Sequence, residues 1–177
     1  MEEEDSDFEA VVVPHLDEAY NLARWLMRSP SDAEDVVQEA LLRALTYFAS
    51  FRGGNARAWL LQIVRNTAYS MLRQRAAPET VPLDGDEAIH ADEMAAMLSE
   101  AGLSPEALLA RVQTRRQLDS LLAELPVELR ECVVLFELNQ ATYREIATIT
   151  GVPIGTVMSR LWRGRRMLIR LAARLKP

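Results

Sequence analysis

The chain has 177 residues, of which 49% are hydrophobic, and its formal net charge is −6, so it is long enough for one ordinary domain or two small ones. One cysteine excludes an internal disulfide framework, and two histidines with that cysteine are too few ligands for a zinc site, so we expect no metal or cofactor. No apolar run approaches the roughly 20 residues that span a bilayer, and the acidic N-terminus is unlike a signal peptide, so we expect a cytoplasmic protein without membrane insertion.

Charge is distributed unevenly along the chain. Residues 1–39 contain twelve acids and two arginines, and residues 76–110 contain eight acids and no lysine or arginine. Residues 40–75 and 146–177 contain no acid, and each of these two basic segments has six arginines. Two local basic surfaces indicate a polyanionic partner better than the net charge does, although a solvated helix face is the alternative interpretation of either segment alone.

Apolar residues recur at spacings of three and four nearly throughout, which predicts an all-α fold. We expect a first helix over about residues 8–27, interrupted or started near Pro14, and a second that begins at a capping box of Ser31 and Glu34. A loop with two glycines covers residues 51–55, and a third helix follows over about 56–74. The second helix has apolar residues on one side: Val36, Val37, Ala40, Leu41, Ala44, Leu45 and Phe48.

The middle of the chain has the composition of a linker. Residues 76–105 contain three prolines, two glycines and many acids, with one short helix expected around residues 90–100. Ser104 and Pro105 then begin a helix that runs to about residue 124, and another helix covers about 127–138. The chain is therefore predicted to form two small helical domains joined by a flexible acidic linker, with bounds of 8–75, 76–109 and 110–177.

The segment from Thr142 onward has the pattern of a helix-turn-helix. Thr142 and Glu145 form a capping box, Gly151 suits a left-handed residue that ends the helix, and Pro153 suits the start of the next one. That second helix is expected to bury Val157, Leu161 and Leu168, and to show Thr156, Ser159, Arg160, Arg163, Arg165 and Arg166 on its other face. Such a helix enters the major groove, where arginine bonds guanine and flanking arginines hold phosphates. A helical hairpin that only packs is the alternative.

Three segments together resemble a known family. YREIATITGVPIGTVMSRLWRGRRML (143–168) resembles the C-terminal promoter-reading domain of bacterial RNA polymerase sigma factors. SPSDAEDVVQEALLRAL (29–45) and FRGGNARAWLLQIVRNTAYSMLRQR (51–75) resemble their N-terminal domain. An arrangement of only these two domains is similar to the extracytoplasmic-function (ECF) group of the sigma-70 family. The resemblance implies a non-enzymatic protein that binds core RNA polymerase, directs it to promoter DNA and helps to open it, commonly under the control of an anti-sigma factor.

The resemblance also implies roles for residues of the N-terminal domain. The polymerase-binding residues would be Asp32, Asp35, Gln38 and Glu39, which would face the clamp helices of the largest polymerase subunit. From the residues alone, a solvated face and a carboxylate metal site remain alternatives. The −10 element would be bound by Phe51, Arg52, Asn55, Arg57, Trp59, Arg65, Asn66, Tyr69 and Arg73. Rings can stack on an unpaired base, an amide can bond its edge, and arginines can hold phosphates. Trp59 also fits a core position.

In the C-terminal domain, the resemblance implies a surface for the −35 element. Its residues would be Tyr143, Arg144, Thr156, Ser159, Arg160, Trp162, Arg163, Arg165 and Arg166. Position 158 is Met, where many relatives have Lys or Arg, so the preferred DNA sequence can differ from theirs. The alternatives are a stand-alone helix-turn-helix regulator, which would bind a palindrome as a dimer, and a sigma-mimicking adaptor that binds no DNA. An enzyme is disfavoured because the chain lacks a histidine or metal-ligand cluster.

Overall fold

The structure, a computed structural model, describes residues 2–75 and 115–174. Helices and turns make up these two ranges, and neither contains a strand, so the all-α prediction is confirmed for them. The chain divides into two compact units. We call residues 2–75 the N-terminal unit and residues 115–174 the C-terminal unit, and we describe each by itself. The predicted linker at 76–109, its short helix and the helix start at Ser104 lie outside the described ranges. No helix within those ranges has both the length and the apolarity to cross a membrane.

The N-terminal unit contains four α-helices. Their bounds are α1 (Glu2–Val12), α2 (Leu16–Met27), α3 (Pro30–Tyr47) and α4 (Ala56–Arg75). A 3-10 turn, Val13–His15, separates α1 from α2, which confirms the predicted interruption near Pro14. Proline has no backbone N–H to donate and clashes with the preceding turn, so a continuous helix through this position is disfavoured.

The start of α3 differs from the prediction. The capping residue is Ser29, whose hydroxyl accepts a hydrogen bond from the Asp32 backbone N–H at 3.4 Å, so a capping box of Ser31 and Glu34 is wrong. Pro30 explains the shift. Its fixed φ angle suits the first position of a helix, and its lack of a backbone N–H costs nothing there, because an N–H at that position has no acceptor within the helix. The cap therefore lies on the residue before the proline, and Ser31 is already inside the helix.

The core of the N-terminal unit lies where α2, α3 and α4 pack against one another. Helix α3 contributes Val36, Ala40 and Ala44 at spacings of four, and all three are fully buried. Leu45 follows Ala44, the last residue of this stripe. Successive residues are rotated by about 100° around the helix axis, so Leu45 lies outside the stripe. Leu45 is 49% exposed, so the apolar side of α3 is wider than its buried stripe.

The C-terminal unit contains a helix-turn-helix preceded by two further helices. The bounds are α5 (Arg115–Glu124), α6 (Val127–Val133), α7 (Tyr143–Thr150) and α8 (Ile154–Ala172). A π-helical segment, Val134–Leu138, continues α6. The predicted capping box is confirmed by hydrogen bonds between Thr142 and Glu145 in both directions, and Gly151 ends α7 with a left-handed φ of 72°.

Helix α8 packs closely on α6. Val157, Leu161 and Leu168 are buried, as predicted from their spacing. Gly164 lies at the crossing, where an added Cβ would stand 2.7 Å from a methyl carbon of Val133. The two helices thus approach to a distance that only glycine permits, and this contact determines where α8 can lie on α6.

Candidate nucleic-acid interface

Four aromatic rings contact one another at the start of the loop at residues 51–55. The Phe51 ring lies 4.8 Å from that of Trp59 and is stacked at 6.2 Å on Phe48, which meets Phe8 edge-on at 5.3 Å. Aromatic pairs at such distances favour defined geometries. We call Phe8, Phe48, Phe51 and Trp59 the aromatic cluster. Trp59 is half-buried within it, and its role in base contact or in core packing stays a prediction. The cluster joins the 3-10 turn Phe48–Ser50, which follows α3, to the first turn of α4.

The loop itself is a defined turn. Gly53 and Gly54 have left-handed φ angles of 81° and 102°, which residues with a side chain rarely adopt. The Asn55 side-chain oxygen accepts a hydrogen bond from the Ala58 backbone N–H at 2.9 Å, so this predicted base contact caps α4 in the structure. Arg52 is exposed beside the glycines. The turn therefore presents one arginine next to the N-terminus of α4.

The arginines of α4 differ in their surroundings. Arg57 forms an ion pair with Glu18 of α2, whereas Arg65 lies over the Tyr69 ring at 4.2 Å. Arg73 is exposed, and its guanidinium donates a hydrogen bond to the Ser70 hydroxyl at 3.3 Å. Asn66 is also exposed. Among the predicted −10 residues, some are therefore exposed polar side chains, whereas others make contacts within the N-terminal unit. The exposed ones include Arg52, Asn66 and Arg73.

The predicted polymerase-binding residues lie along α3, and two of them are engaged in ion pairs. Both oxygens of Asp32 accept hydrogen bonds from Arg75, at 2.5 and 2.8 Å, which ties the start of α3 to the end of α4. These hydrogen bonds hold the pKa of the Asp32 carboxyl below its usual value. Glu39 pairs with Arg43 at 2.7 Å. Asp35 and Gln38 are exposed.

An exposed stripe on α3 was missed by the sequence analysis. Asp35, Gln38, Leu42 and Leu45 follow one another at spacings of three and four, so they share one face of the helix. Leu42 is 64% exposed and Leu45 is 49% exposed. The spacing of the two leucines from the exposed polar residues could have revealed this stripe. Its surface changes from polar at Asp35 to apolar at Leu45.

Helices α7 and α8 meet the π-helical segment through aromatic and charged groups. The Tyr143 ring is stacked on Phe136 at 5.2 Å. The Arg165 guanidinium lies over the Phe136 ring, 5.0 Å from its centroid. It also donates two hydrogen bonds to one carboxylate oxygen of Glu137, at 2.8 and 2.5 Å. Arg165, predicted as a phosphate contact, is thus held by its own unit.

Three residues expected on the outer face of α8 are buried. Thr156 and Ser159 are 6% and 3% exposed, and their short side chains stand beside residues of the buried face. Arg160 reaches back to Glu131 of α6, with 3.5 Å between the charged atoms. The expectation that these three side chains face outward is therefore wrong, and their contact with DNA stays a prediction.

The remaining predicted −35 residues lie closer to the surface. Arg144 and Arg166 are exposed, whereas Trp162 and Arg163 are half-buried. The Arg166 guanidinium lies over the Trp162 ring at 5.1 Å, which places a cation beside an aromatic face. Met158 is half-buried on the same helix.

Family models and sequence relatives agree on one family. Sigma-70 region 2 matches residues 11–77, and Sigma-70, region 4 matches residues 115–168. The ECF RNA polymerase sigma-E factor of Escherichia coli strain K12 is 36% identical over 139 residues, which is 77% of this chain and 72% of that protein. The ECF RNA polymerase sigma factor SigE of Mycolicibacterium smegmatis is 32% identical over 91% of this chain, and this chain spans 60% of that relative's length.

Two solved structures are similar to this one. The sigma factor RpoE from Bartonella quintana, in complex with the anti-sigma factor NepR, has a TM-score of 0.70 and 28% identity over 96% of this chain and 99% of that chain. CnrH, in complex with the cytosolic domain of CnrY, has a TM-score of 0.63 and 25% identity over 94% and 88%. With the sequence relatives, these likenesses show that the chain belongs to the ECF group of the sigma-70 family of RNA polymerase sigma factors.

Proposed function

We propose that this protein is a transcription initiation factor that binds core RNA polymerase, directs it to specific promoters and helps to melt the −10 element. The observation that carries the proposal is the match to both sigma regions, together with a candidate surface on each unit. In this proposal the protein acts by binding its partners and has no catalytic site of its own. It acts in the cytoplasm, where RNA polymerase and the chromosome are. The two similar solved structures are complexes with partner proteins, and we propose an anti-sigma partner for this chain on that likeness.

The polymerase-binding surface is proposed to be the outer face of α3. Asp32, Asp35, Gln38 and Glu39 provide carboxylates and an amide for a basic partner, and the exposed Leu42 and Leu45 extend this face with apolar area. Interfaces commonly combine an apolar centre with a polar rim. The test compares Asp35→Arg with the wild type in binding to core polymerase by gel filtration.

We expect Asp35→Arg to lose core binding, because the charge at this face is reversed. Glu9→Arg is the matched control, since Glu9 is an exposed acid on α1, outside the proposed face. Equal core binding by Asp35→Arg and Glu9→Arg would contradict the assignment of this face.

The −10 surface is proposed to comprise the loop and the outer side of α4. Arg52, Asn66 and Arg73 are its exposed polar groups, and Phe51, Arg65 and Tyr69 are half-buried residues of the same two elements. Cations can hold the phosphates of a single strand, and an amide can bond the edge of an unpaired base. This arrangement supports strand opening better than reading of intact duplex.

The −35 surface is proposed to comprise Tyr143 and Arg144 on α7 and Trp162, Arg163 and Arg166 on α8. An arginine that bonds a guanine contributes about 1–3 kcal/mol of discrimination. Arg163→Ala should therefore weaken −35 recognition roughly tenfold or more while core binding persists. Arg170→Ala is the control, because this exposed arginine lies on α8 outside the proposed set.

If core binding fell as much as −35 recognition in Arg163→Ala, the assignment of this surface would be wrong. Without polymerase, we expect the acidic protein to bind promoter DNA weakly and in a salt-dependent manner. Tight binding of a palindrome by the free protein would instead favour a stand-alone regulator.

A further inference from the structure

A buried ion pair joins α6 to α8. The Glu131 side chain has no exposed surface, and that of Arg160 is 9% exposed, with 3.5 Å between Glu131 Oε1 and Arg160 Nη1. Glu131 is surrounded in sequence by buried residues, from Leu129 to Leu135. A carboxylate at such a position is costly unless it is paired, and the guanidinium of α8 supplies the opposite charge.

The position of Arg160 on α8 agrees with an inward role. Arg160 is three residues after the buried Val157 and four before Gly164, so it belongs to the face that packs on α6. At Gly164 the helices are so close that a Cβ would stand 2.7 Å from Val133. The ion pair therefore lies one turn from the closest approach of the two helices.

These two contacts restrict α8 in different ways. The close crossing at Gly164 disfavours sliding along α6, because a neighbouring residue with a Cβ moved to this place would overlap Val133. The ion pair penalises rotation of α8, because rotation would pull the charges apart inside the protein. The orientation of α8 decides where Trp162, Arg163 and Arg166 point. A helix that rotates freely could not hold these side chains at fixed base positions.

We propose that Glu131 and Arg160 are positioning residues that set the orientation of α8 for −35 recognition, and that Arg160 does not itself contact DNA. This inference rests on the proposed function, because its readout is promoter recognition. It reassigns a predicted DNA contact to the interior of the unit, and it adds Glu131, which the sequence analysis did not select.

The test is a double-mutant cycle in transcription by the full-length protein with core polymerase. Arg160→Met is compared with Glu131→Met/Arg160→Met on a promoter that the wild type transcribes, and on the same promoter with its −35 element scrambled. We expect Arg160→Met to lose about tenfold on the intact promoter, because Glu131 then stays buried without the guanidinium. The double variant should return to within about threefold of the wild type, since neither charge remains.

If Arg160 itself bonded DNA, changing Glu131 could not restore that bond, so a double variant as weak as Arg160→Met overturns the proposal. Arg163→Ala is the matched comparison, and adding Glu131→Met should not rescue it. On the scrambled promoter, all folded variants should equal the wild type, whereas a general loss of structure would reduce transcription there too.

Circular dichroism shows whether the methionine variants fold. If they do not, Glu131→Gln is the alternative test, because it keeps the shape of the buried side chain and removes its charge. We expect this variant to bind core polymerase normally and to lose −35-dependent transcription. Unchanged −35-dependent transcription by a folded Glu131→Gln overturns the proposal. If the wild type itself gives no −35-dependent transcript, the proposed function fails, and this outcome is distinct from a failure of the ion-pair assignment.

Discussion

The two units position their candidate DNA-binding elements by different means. In the N-terminal unit, the loop at residues 51–55 is held by the aromatic cluster, and nearby arginines pair with acids at or near the surface, such as Arg57 with Glu18. In the C-terminal unit, α8 is held by a buried ion pair and by the close crossing at Gly164.

This difference shows what an acid-free segment does and does not indicate. Residues 40–75 and 146–177 each have six arginines and no acid, yet acids from elsewhere in the chain pair with several of them. Asp32 pairs with Arg75, and Glu131 pairs with Arg160. Arginines in such a segment are therefore candidates for DNA contact only after their internal partners are known.

Removal of an aromatic ring should have the largest effect on the N-terminal unit. We expect Trp59→Ala to lower the free energy of unfolding by roughly 3 kcal/mol, because a large half-buried ring is removed from the aromatic cluster. Chemical denaturation measures the change. Tyr47→Ala is the control, since Tyr47 is 59% exposed, and its loss should cost less than about 0.5 kcal/mol. Equal effects of the two substitutions would contradict the role of the cluster.

The C-terminal unit should instead be sensitive to added volume at the α6–α8 crossing. Gly164→Val should destabilise it by about 1–3 kcal/mol, because the new side chain would overlap Val133. Val133→Ala removes the nearest methyl group, so Gly164→Val/Val133→Ala should recover part of the loss. Thermal melts of the three proteins provide the comparison. A double variant less stable than the sum of the two single effects would argue against this crossing.

The surface pair of Asp32 and Arg75 should have the smallest effect, and it should depend on pH. The lowered pKa of Asp32 means that the pair stabilises the folded state above the ordinary value of 3.8, and that this contribution disappears as pH falls through the folded-state pKa. Asp32→Asn should therefore lower the melting temperature slightly at neutral pH and match the wild type in strong acid. Arg75→Gln should show the same pattern, and a pH-independent difference would exclude the ion pair as its cause.

Local rules predicted the helix-turn-helix well. The Thr142–Glu145 capping box and the left-handed Gly151 depend on neighbouring residues alone, so the sequence was sufficient for both. The start of α3 was misplaced because two serines flank Pro30, and the proline selects the one before it.

The sequence was insufficient where residues far away in the chain determine the burial or direction of a side chain. Arg160 has a position on the buried face of α8, but its inward direction depends on a carboxylate 29 positions earlier in the chain. Leu45 follows an apolar pattern on α3, yet the neighbouring helices cover only the stripe of Val36, Ala40 and Ala44. Helical periodicity defines such faces, whereas their coverage depends on the tertiary arrangement.

Run-off transcription with core polymerase tests the central claim most directly. Core enzyme is incubated with fragmented genomic DNA from the source organism, with and without this protein, and transcript starts are mapped. We predict starts that appear only with the protein and that share two sequence elements upstream, one for each unit. Asp35→Arg should abolish these starts. An absence of protein-dependent starts, with core binding intact, would contradict the proposed function.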